Sequence, residues 1–124
     1  MPRLKLIVVG GVARAQSYEL VGPWAERTLA ALNIGTVVVG FDGISAAGGL
    51  TTHDEIEAQT NRALIERAQR VIVVADGTKL GRSMLAHIAG LEAVSELITG
   101  PSADPAAVAD LRAEGVPVTL AQPR

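Results

Sequence analysis

Apolar runs alternate with amphipathic stretches along most of this chain. A short continuous apolar run bounded by glycine or polar residues is typical of a buried strand. The sequence on this basis predicts five strands, at residues 5–9, 36–41, 71–75, 97–99 and 116–120. Pro117 indicates that the last strand lies at an edge of the sheet, because proline cannot donate a hydrogen bond to a central ladder.

Helical spacing of apolar residues, together with start and stop signals, predicts helices between these strands. They are expected over residues 20–33 (regular only from Pro23), from Asp54 to just before the third strand, over 81–89, and from Asp104 to Gly115. The clearest start is Asp54, which can cap its helix, with Glu57 three positions later as in a capping box. The last helix has proline at its first position and glycine after its end.

This order of elements predicts one α/β domain over residues 1–124, with an open, mostly parallel sheet and helices on both faces. Ligands of such sheets bind outside the carboxyl ends of the strands. Two segments with candidate chemistry follow strands in this way. They are the glycine-rich loop GFDGISAAGGLTTHDE (40–55) and the sequence Asp76-Gly77-Thr78-Lys79.

Composition and charge exclude several classes of function. Apolar residues make up 48% of the chain and only three residues are aromatic, which suits a core of Val, Ile, Leu and Ala. The net charge of −2 and the lack of a basic run make the chain alone a poor candidate for nucleic-acid binding. Cysteine is absent and His53 and His87 are far apart, so neither a metal site nor a disulfide is expected.

Motifs for common cofactors are also missing. Gly10-Gly11 does not continue into a dinucleotide-binding fingerprint, and no nucleoside-triphosphate loop occurs, so no cofactor is expected. The apolar run near the N-terminus is too short for a signal peptide or a membrane span. The chain is therefore expected in the cytoplasm, with no membrane partner.

The glycine loop has two interpretations from its residues alone. Glycines allow close backbone approach, and free N–H groups in such a loop can hold an anion. Asp54 and Glu55 would repel a phosphate placed directly on them and would suit sugar hydroxyls better. A plain connection between two elements explains the glycines equally well.

Asp76 and Lys79 likewise allow two interpretations. The lysine can meet a phosphate or an oxyanion, and the aspartate can hold a sugar hydroxyl or orient the lysine. A turn with a solvated ion pair, worth about 0–1 kcal/mol, is the slightly simpler explanation of the spacing.

Three segments in order resemble the effector-binding domain of DeoR-type transcriptional regulators. They are V-x-G-x-x-G-I-S-x-x-G-G-L-T (38–51), N-R-A-L-I-E-x-A (61–68) and A-D-x-T-K-x-G (75–81). The resemblance extends from Leu6 to about Leu120. It implies a Rossmann-like sheet similar to that of ribose-5-phosphate isomerase, binding of a phosphorylated sugar or related metabolite, and homo-oligomers. It also implies that DNA is bound by a separate helix-turn-helix domain.

The resemblance further implies a sugar-phosphate site, with Gly11 and Arg14 at its rim. The residues expected to line it are Gly43, Ser45, Gly48, Gly49, Thr51, Glu55, Asp76 and Lys79. The chain shows no helix-turn-helix and no Ser-Gly-Thr-Thr phosphate loop of the family. We therefore expect a fragment, a truncated gene product or an engineered piece, with weakened ligand binding and an unprotected sheet edge that favours self-association.

Two other functions remain open on the sequence. One is a sugar-phosphate isomerase, with Glu55 or Asp76 as the base and Lys79 stabilising an enediolate oxyanion. The other is a pure oligomerisation module whose ligand site has decayed. The regulatory interpretation is preferred, and no enzymatic activity is expected.

Overall fold

A computed structural model describes residues 3–122 of the chain. The helices within this range are α1 (Pro23–Ala30), α2 (Glu55–Glu66) and α3 (Pro105–Ala113). The strands are β1 (Val12–Ala13), β2 (Leu20–Val21), β3 (Ile34–Val39), β4 (Gly43–Ser45), β5 (Gly49–Thr52), β6 (Ala68–Val74), β7 (Ala86–Ala89), β8 (Glu96–Thr99) and β9 (Val118–Leu120).

Four parallel strands form the main sheet, in the order β3-β6-β8-β9. Val37 lies opposite Val71, and Val73 lies opposite Leu97, so the apolar runs are aligned across the sheet. Four of the five predicted strands are confirmed as β3, β6, β8 and β9, and β9 lies at an edge as Pro117 indicates. The α/β class, with a parallel sheet flanked by helices, is confirmed.

The strand predicted at residues 5–9 is wrong. These residues adopt no regular structure, and the apolar side chains of residues 6–8 are exposed; Leu6 is 80% exposed. A strand is stable only when its backbone N–H and C=O groups find a ladder partner. No strand within residues 3–122 lies beside this run, so its apolar character alone does not produce a strand. The first paired segment is the short antiparallel hairpin of β1 and β2.

The glycine-rich segment is a β-hairpin rather than an open loop. Strands β4 and β5 pair antiparallel, and β5 also pairs with β7. The helix predicted over residues 81–89 is wrong, because β7 occupies its second half and a single 3₁₀ turn, Gly77–Lys79, comes before it. Ile88 is buried in the core from this strand. Pairing with a distant strand has therefore overridden the weak helical signal.

The other three predicted helices are confirmed, but the first is shorter than its predicted range of residues 20–33, because Leu20 and Val21 form β2 and the helix ends at Ala30. Helix α1 is regular from Pro23, as expected. The Asp54 side chain accepts a hydrogen bond of 2.9 Å from the Glu57 backbone N–H at the start of α2. Asp104 accepts one of 3.0 Å from the N–H of Ala106 in α3. Gly115, with φ of 90°, follows the end of that helix.

The core lies on one face of the main sheet. Buried side chains such as Val71, Val73 and Leu97 form a single cluster with Ile65 of α2 and Leu111 of α3. The opposite face carries the alternate side chains of the same strands, and over residues 3–122 it is only partly covered. Val38 is 64% exposed there, and an ion pair joins Arg70 to Glu96 at 3.1 Å.

Candidate functional site

A pocket of about 540 Å³ lies outside the carboxyl ends of β3 and β6. We call it the strand-end pocket. Residues 40–41 and 74–75 line it, and its polar lining residues include Glu19, Asp42, Glu57, Asp76 and Lys79. A smaller hollow of about 310 Å³ adjoins it and shares Asp42 and Glu57. The pocket is in the position where open parallel sheets bind ligands.

Asp42 connects the end of β3 to the end of β5. One carboxylate oxygen, Oδ2, accepts hydrogen bonds from the Thr52 hydroxyl at 2.7 Å and from the His53 backbone N–H at 3.2 Å. The same oxygen lies 2.8 Å from Nδ1 of His53. Burial acts to raise the pKa of Asp42, but the hydrogen bonds from Thr52 and His53 outweigh it and lower the pKa below its usual value. Asp42 is therefore a carboxylate at neutral pH.

Asp76 and Lys79 follow β6 and are brought to the pocket by the 3₁₀ turn. The Asp76 carboxylate caps this turn, accepting hydrogen bonds from the backbone N–H of Thr78 at 2.9 Å and from the Thr78 hydroxyl. These bonds, first that of the hydroxyl, lower the pKa of Asp76. Within residues 3–122, Lys79 has no ion pair with a carboxylate within 4 Å. Its ammonium group can therefore contact an anionic ligand without first breaking a pair.

Arg14 joins the β1–β2 hairpin to the first turn of α2. Its Nη1 lies 3.2 Å from Oδ1 of Asp54, and its Nε lies 3.0 Å from Oε2 of Glu57. Arg14 borders the smaller hollow. Its charge is already matched by two carboxylates.

Glu19 also lines the strand-end pocket. Its pKa is shifted in the direction opposite to those of Asp42 and Asp76. Burial, followed by contact with the Glu57 carboxyl, raises the pKa of Glu19 to about 8. Glu19 therefore keeps its proton through most of the neutral range, whereas Asp42 and Asp76 are ionised. The pocket thus offers both carboxylate acceptors and a carboxylic acid donor.

The predicted glycine-loop residues lie elsewhere. Gly48, Gly49 and Thr51 line a separate pocket of about 460 Å³ beside the tip of the β4–β5 hairpin, together with Ser83 and His87. We call it the hairpin pocket. Neither Asp76 nor Lys79 borders it. The structure therefore does not bring the predicted loop residues and the predicted acidic–basic pair into one cavity.

Two of the loop residues have packing roles. The Ser45 hydroxyl is buried and accepts a 2.9 Å hydrogen bond from the Gly48 N–H, closing the hairpin turn. A Cβ at Gly43 would lie 2.5 Å from the carbonyl oxygen of Arg82, so no side chain fits there. These contacts are sufficient to explain why small residues stand at both positions.

Gly11 and Glu55 are also outside the strand-end pocket. Gly11 has φ of 129° and packs closely against the backbone of Val21. Glu55 is exposed on α2 and borders a shallow hollow with Arg62 and His87. Of the ten residues predicted for the site, only Asp76 and Lys79 line the strand-end pocket, and Arg14 lies next to it.

Sequence reasoning missed Glu19, Asp42 and Glu57. Asp42 could have been found, because it directly follows a predicted strand and lies inside the first family-like segment. Glu57 was recognised only as a residue of the helix start. Glu19 carries no local signal, since only the tertiary fold places its carboxyl beside Glu57.

Two kinds of feature are absent from residues 3–122, a membrane-spanning helix and a metal-binding cluster. No helix in this range is both long enough and apolar enough to cross a membrane. No group of three or more His, Asp or Glu side chains in the same range has the arrangement of a metal site.

Comparison with known proteins gives consistent matches. A family model described as the DeoR C terminal sensor domain matches residues 1–101. The HTH-type transcriptional regulator YulB of Bacillus subtilis is 34% identical over 116 residues, which are 94% of this chain and 45% of that protein. A putative aga operon transcriptional repressor of Escherichia coli O157:H7 is 34% identical over 117 residues, 94% of this chain and 44% of the relative.

An archaeal relative extends the comparison. The HTH-type transcriptional regulator GlpR of Haloferax volcanii is 33% identical over 111 residues, 90% of this chain and 44% of its own length. The chain thus spans less than half the length of these curated relatives.

Proposed function

The chain belongs to the family of DeoR C-terminal sensor domains, and on this premise we propose that its strand-end pocket binds a phosphorylated sugar and thereby controls DNA binding by a helix-turn-helix domain. The observation that carries the proposal is the pocket itself. It lies at the carboxyl ends of parallel strands and combines carboxylates with one lysine, Lys79, that has no ion-pair partner within 4 Å among residues 3–122.

The chemistry of the walls assigns an orientation to the ligand. Carboxylates such as Asp42 and Asp76 accept hydrogen bonds from hydroxyl groups and repel phosphate. The Lys79 ammonium attracts the phosphate instead. We therefore place the phosphate at Lys79 and the hydroxyl-bearing carbons toward Glu19 and Glu57.

The mechanism is a shift between two arrangements of the regulator. A ligand changes the equilibrium only if it binds one arrangement more tightly than the other. The pocket joins β3, β6, α2 and the β1–β2 hairpin. A ligand that draws these elements together would favour one arrangement of the sensor, and the attached DNA-binding domains would follow.

The names of two relatives support the proposed class of ligand. One is named glycerol-3-phosphate regulon repressor and another L-fucose operon activator. Both names refer to small polyhydroxylated compounds or to genes for their use. This chain is proposed to sense a compound of the same class, in the cytoplasm, without catalysing a reaction on it.

A thermal-shift screen with a panel of sugar phosphates tests the proposal. A ligand at about one hundred times its dissociation constant stabilises the folded state by about 2.7 kcal/mol. A shift for one or a few compounds that is lost in Lys79→Ala is expected. Lys5→Ala is the matched control, since Lys5 lies in the exposed segment before β1. No shift from any compound, or a shift that Lys79→Ala retains, would refute the assignment.

We also propose that the chain forms homo-oligomers. The partly covered sheet face around Val38 and Val74 supports this, because monomeric proteins rarely leave such apolar surface exposed. Light scattering should give a molar mass above that of one chain, and Val38→Lys should reduce it. A monomer at tens of micromolar protein would contradict the proposal.

A further inference from the structure

The outer edge of β3 is a row of backbone groups with no strand beside it. β3 is the first strand in the order β3-β6-β8-β9, so one of its sides has no partner within residues 3–122. The N–H of Ile34 donates a 3.0 Å hydrogen bond to the carbonyl oxygen of Arg67, on the β6 side. Backbone groups alternate between the two sides of a strand, so those of Gly35, Val37 and Val39 point to the free edge. Such an edge is a template for pairing with another strand.

The edges of β9, β7 and β4 are covered by contacts within the chain. The Arg112 side chain donates a 2.9 Å hydrogen bond to the carbonyl oxygen of Val118 in β9. The Arg62 side chain donates to the carbonyl oxygens of His87 and Ile88 in β7, at 2.6 and 3.0 Å. β4 makes an isolated parallel bridge with the segment before β7. No side chain within residues 3–122 forms such a hydrogen bond to the free edge of β3.

The same chain carries a strand-like segment that has no partner. We call residues 4–9 (LKLIVV) the N-terminal run. It has the composition of a strand, but it pairs with no strand within residues 3–122. Leu6, Ile7 and Val8 are each more than half exposed. Monomeric proteins rarely leave contiguous apolar surface of this kind in water.

The N-terminal run and the free edge match in length and in pattern. Each has six residues. Side chains alternate between the faces of a strand, and Val37 is buried on the core face whereas Val38 is exposed on the open face. The charged Lys5 requires the open face, which places Leu6 on the core face. The register that pairs Leu6 with Val37 satisfies this rule whether the added strand is parallel or antiparallel.

We propose that the N-terminal run of one copy adds to the β3 edge of a second copy as a fifth strand, and that the exchange is reciprocal. This inference specifies the interface of the homo-oligomer proposed above and rests on that proposal. A two-fold axis makes the contact self-complementary. Two chains then satisfy both runs and both edges, so assembly stops at a dimer. The main-chain hydrogen bonds of strand addition supply the attraction, and the alternate side chains fix the register.

The position of the run favours a second copy over the chain's own β3. The run is followed by Gly10 and Gly11, and Gly11 packs against Val21 of β2 rather than against β3. β3 also continues directly into residues 40–42, which line the strand-end pocket. The proposed interface and the proposed ligand site therefore share one strand.

Leu6→Lys is the variant that separates strand addition from other contacts. Leu85→Lys is the matched control, because both leucines are exposed and neither belongs to the core. In the first variant a charge lies on the core face of the added strand, which prevents pairing. Light scattering at tens of micromolar protein should give twice the mass of one chain for the wild type and for Leu85→Lys. Leu6→Lys should give the mass of a single chain.

A second measurement tests the register. The chain has no cysteine, so single cysteines report one contact each. Chains carrying Leu6→Cys and chains carrying Val37→Cys, with tags of different size, are mixed and oxidised. We expect a disulfide that joins the two kinds of chain, since cross-strand neighbours lie within its reach. A mixture of Leu85→Cys with Val37→Cys is the control.

Hydrogen exchange needs no cysteine and serves if Val37→Cys does not fold. The amides of Gly35, Val37 and Val39 should exchange more slowly in the wild type than in Leu6→Lys, because the added strand covers the edge. Equal exchange rates at these amides in the two proteins overturn the inference.

The outcomes separate this inference from the proposals it extends. A dimer that Leu6→Lys leaves intact, or a mixed disulfide that forms no faster than in the control mixture, overturns strand addition while the homo-oligomer stands. A mass above two chains overturns the reciprocal exchange. A monomeric wild type overturns both the exchange and the homo-oligomer, and slow exchange along the β3 edge of that monomer assigns the run to its own chain. The sugar-phosphate assignment is tested separately by Lys79→Ala.

Discussion

Asp42→Ala tests how the strand-end pocket is held together. Thr52 is 1% exposed, and its hydroxyl donates to Asp42 at 2.7 Å. Removing the carboxylate leaves this hydroxyl buried without that acceptor, which costs about 1–3 kcal/mol. His53 is exposed, so its nitrogen atoms regain hydrogen bonds from water at little cost, and its surface contact with Asp42 is worth about 0–1 kcal/mol. We expect a total loss of about 1–4 kcal/mol in the free energy of unfolding.

A double-mutant cycle assigns this loss to the Asp42–Thr52 bond. Thr52→Val removes the hydroxyl with little change of shape and leaves Asp42, which is partly exposed, with water and His53 as partners. We expect it alone to cost about 1 kcal/mol. The double variant should be little worse than Asp42→Ala, because the orphaned hydroxyl is gone. The double variant is therefore less destabilised than the sum of the two single variants, by a coupling energy of about 1 kcal/mol.

Urea unfolding followed by far-ultraviolet circular dichroism measures the cycle. The slope of the free energy of unfolding against urea should be the same for all four proteins, since the change is local. A loss below about 0.5 kcal/mol in Asp42→Ala, or strictly additive single changes, would refute this account of the joint between β3 and β5.

Three further predictions follow from burial, backbone conformation and titration. Leu97→Ala, at a fully buried position, should lower the free energy of unfolding by about 2–5 kcal/mol, whereas Leu85→Ala, at a position 87% exposed, should stay within about 0.5 kcal/mol. Gly11→Ala should destabilise by about 1–3 kcal/mol, because φ is 129° and the new Cβ would lie 2.7 Å from a carbonyl oxygen. Gly10→Ala, with no atom within 4 Å of its Cβ, should be close to neutral. Because the pKa of Asp42 is lowered, its ionisation contributes stability that is present above the unfolded-state pKa of about 3.8 and is lost as pH falls through the folded-state value.

Each of these three predictions can be tested by a measurement of stability. Urea unfolding midpoints test the two pairs of substitutions. An equal loss of stability in both members of a pair would contradict the packing described for Leu97 or for Gly11. Unfolding at acid pH tests the prediction for the ionisation of Asp42. Asp42→Asn should reduce the dependence of stability on pH below about 4, and an unchanged acid transition would contradict the role given to the Asp42 carboxylate.

Much of the fold was predictable because its signals are local. Asp54 before α2 and Asp104-Pro105 before α3 are capping sequences whose effect depends only on neighbouring backbone N–H groups. The apolar runs of β3 and β6 also predict buried strands from local composition. These two predictions hold because each run finds the other as its partner in the sheet.

The two wrong predictions concern segments whose state depends on distant partners. Residues 5–9 have the composition of a strand, but no strand within residues 3–122 lies beside them. Residues 86–89 have a weak helical pattern, but β5 offers them a ladder and the core offers Ile88 a buried position. Local composition contains no information about whether such a partner is present.

The residues of the candidate site likewise fall into two groups, those that a local signal predicts and those that only the tertiary fold brings to the pocket. Asp76 and Lys79 were predictable because both follow a strand directly, and that strand's carboxyl end lies at the pocket. The glycines of the β4–β5 hairpin were expected in the same cavity, and the structure places Gly48 and Gly49 in another. The antiparallel pairing of the hairpin carries its tip away from the end of β3, and that pairing was not visible in the spacing of the glycines.

The sequence by itself determined the α/β class, the caps of the helices and the two pocket residues that follow β6. Each of these is signalled by a local pattern in the sequence: the alternation of apolar runs and amphipathic stretches, a capping residue, or a residue that directly follows a strand. Only the tertiary structure decided that Glu19, Asp42 and Glu57 share one pocket and that Glu19 holds a proton. The pKa of Glu19 depends on burial and on a carboxyl from another element, and both arise only when the hairpin packs against α2.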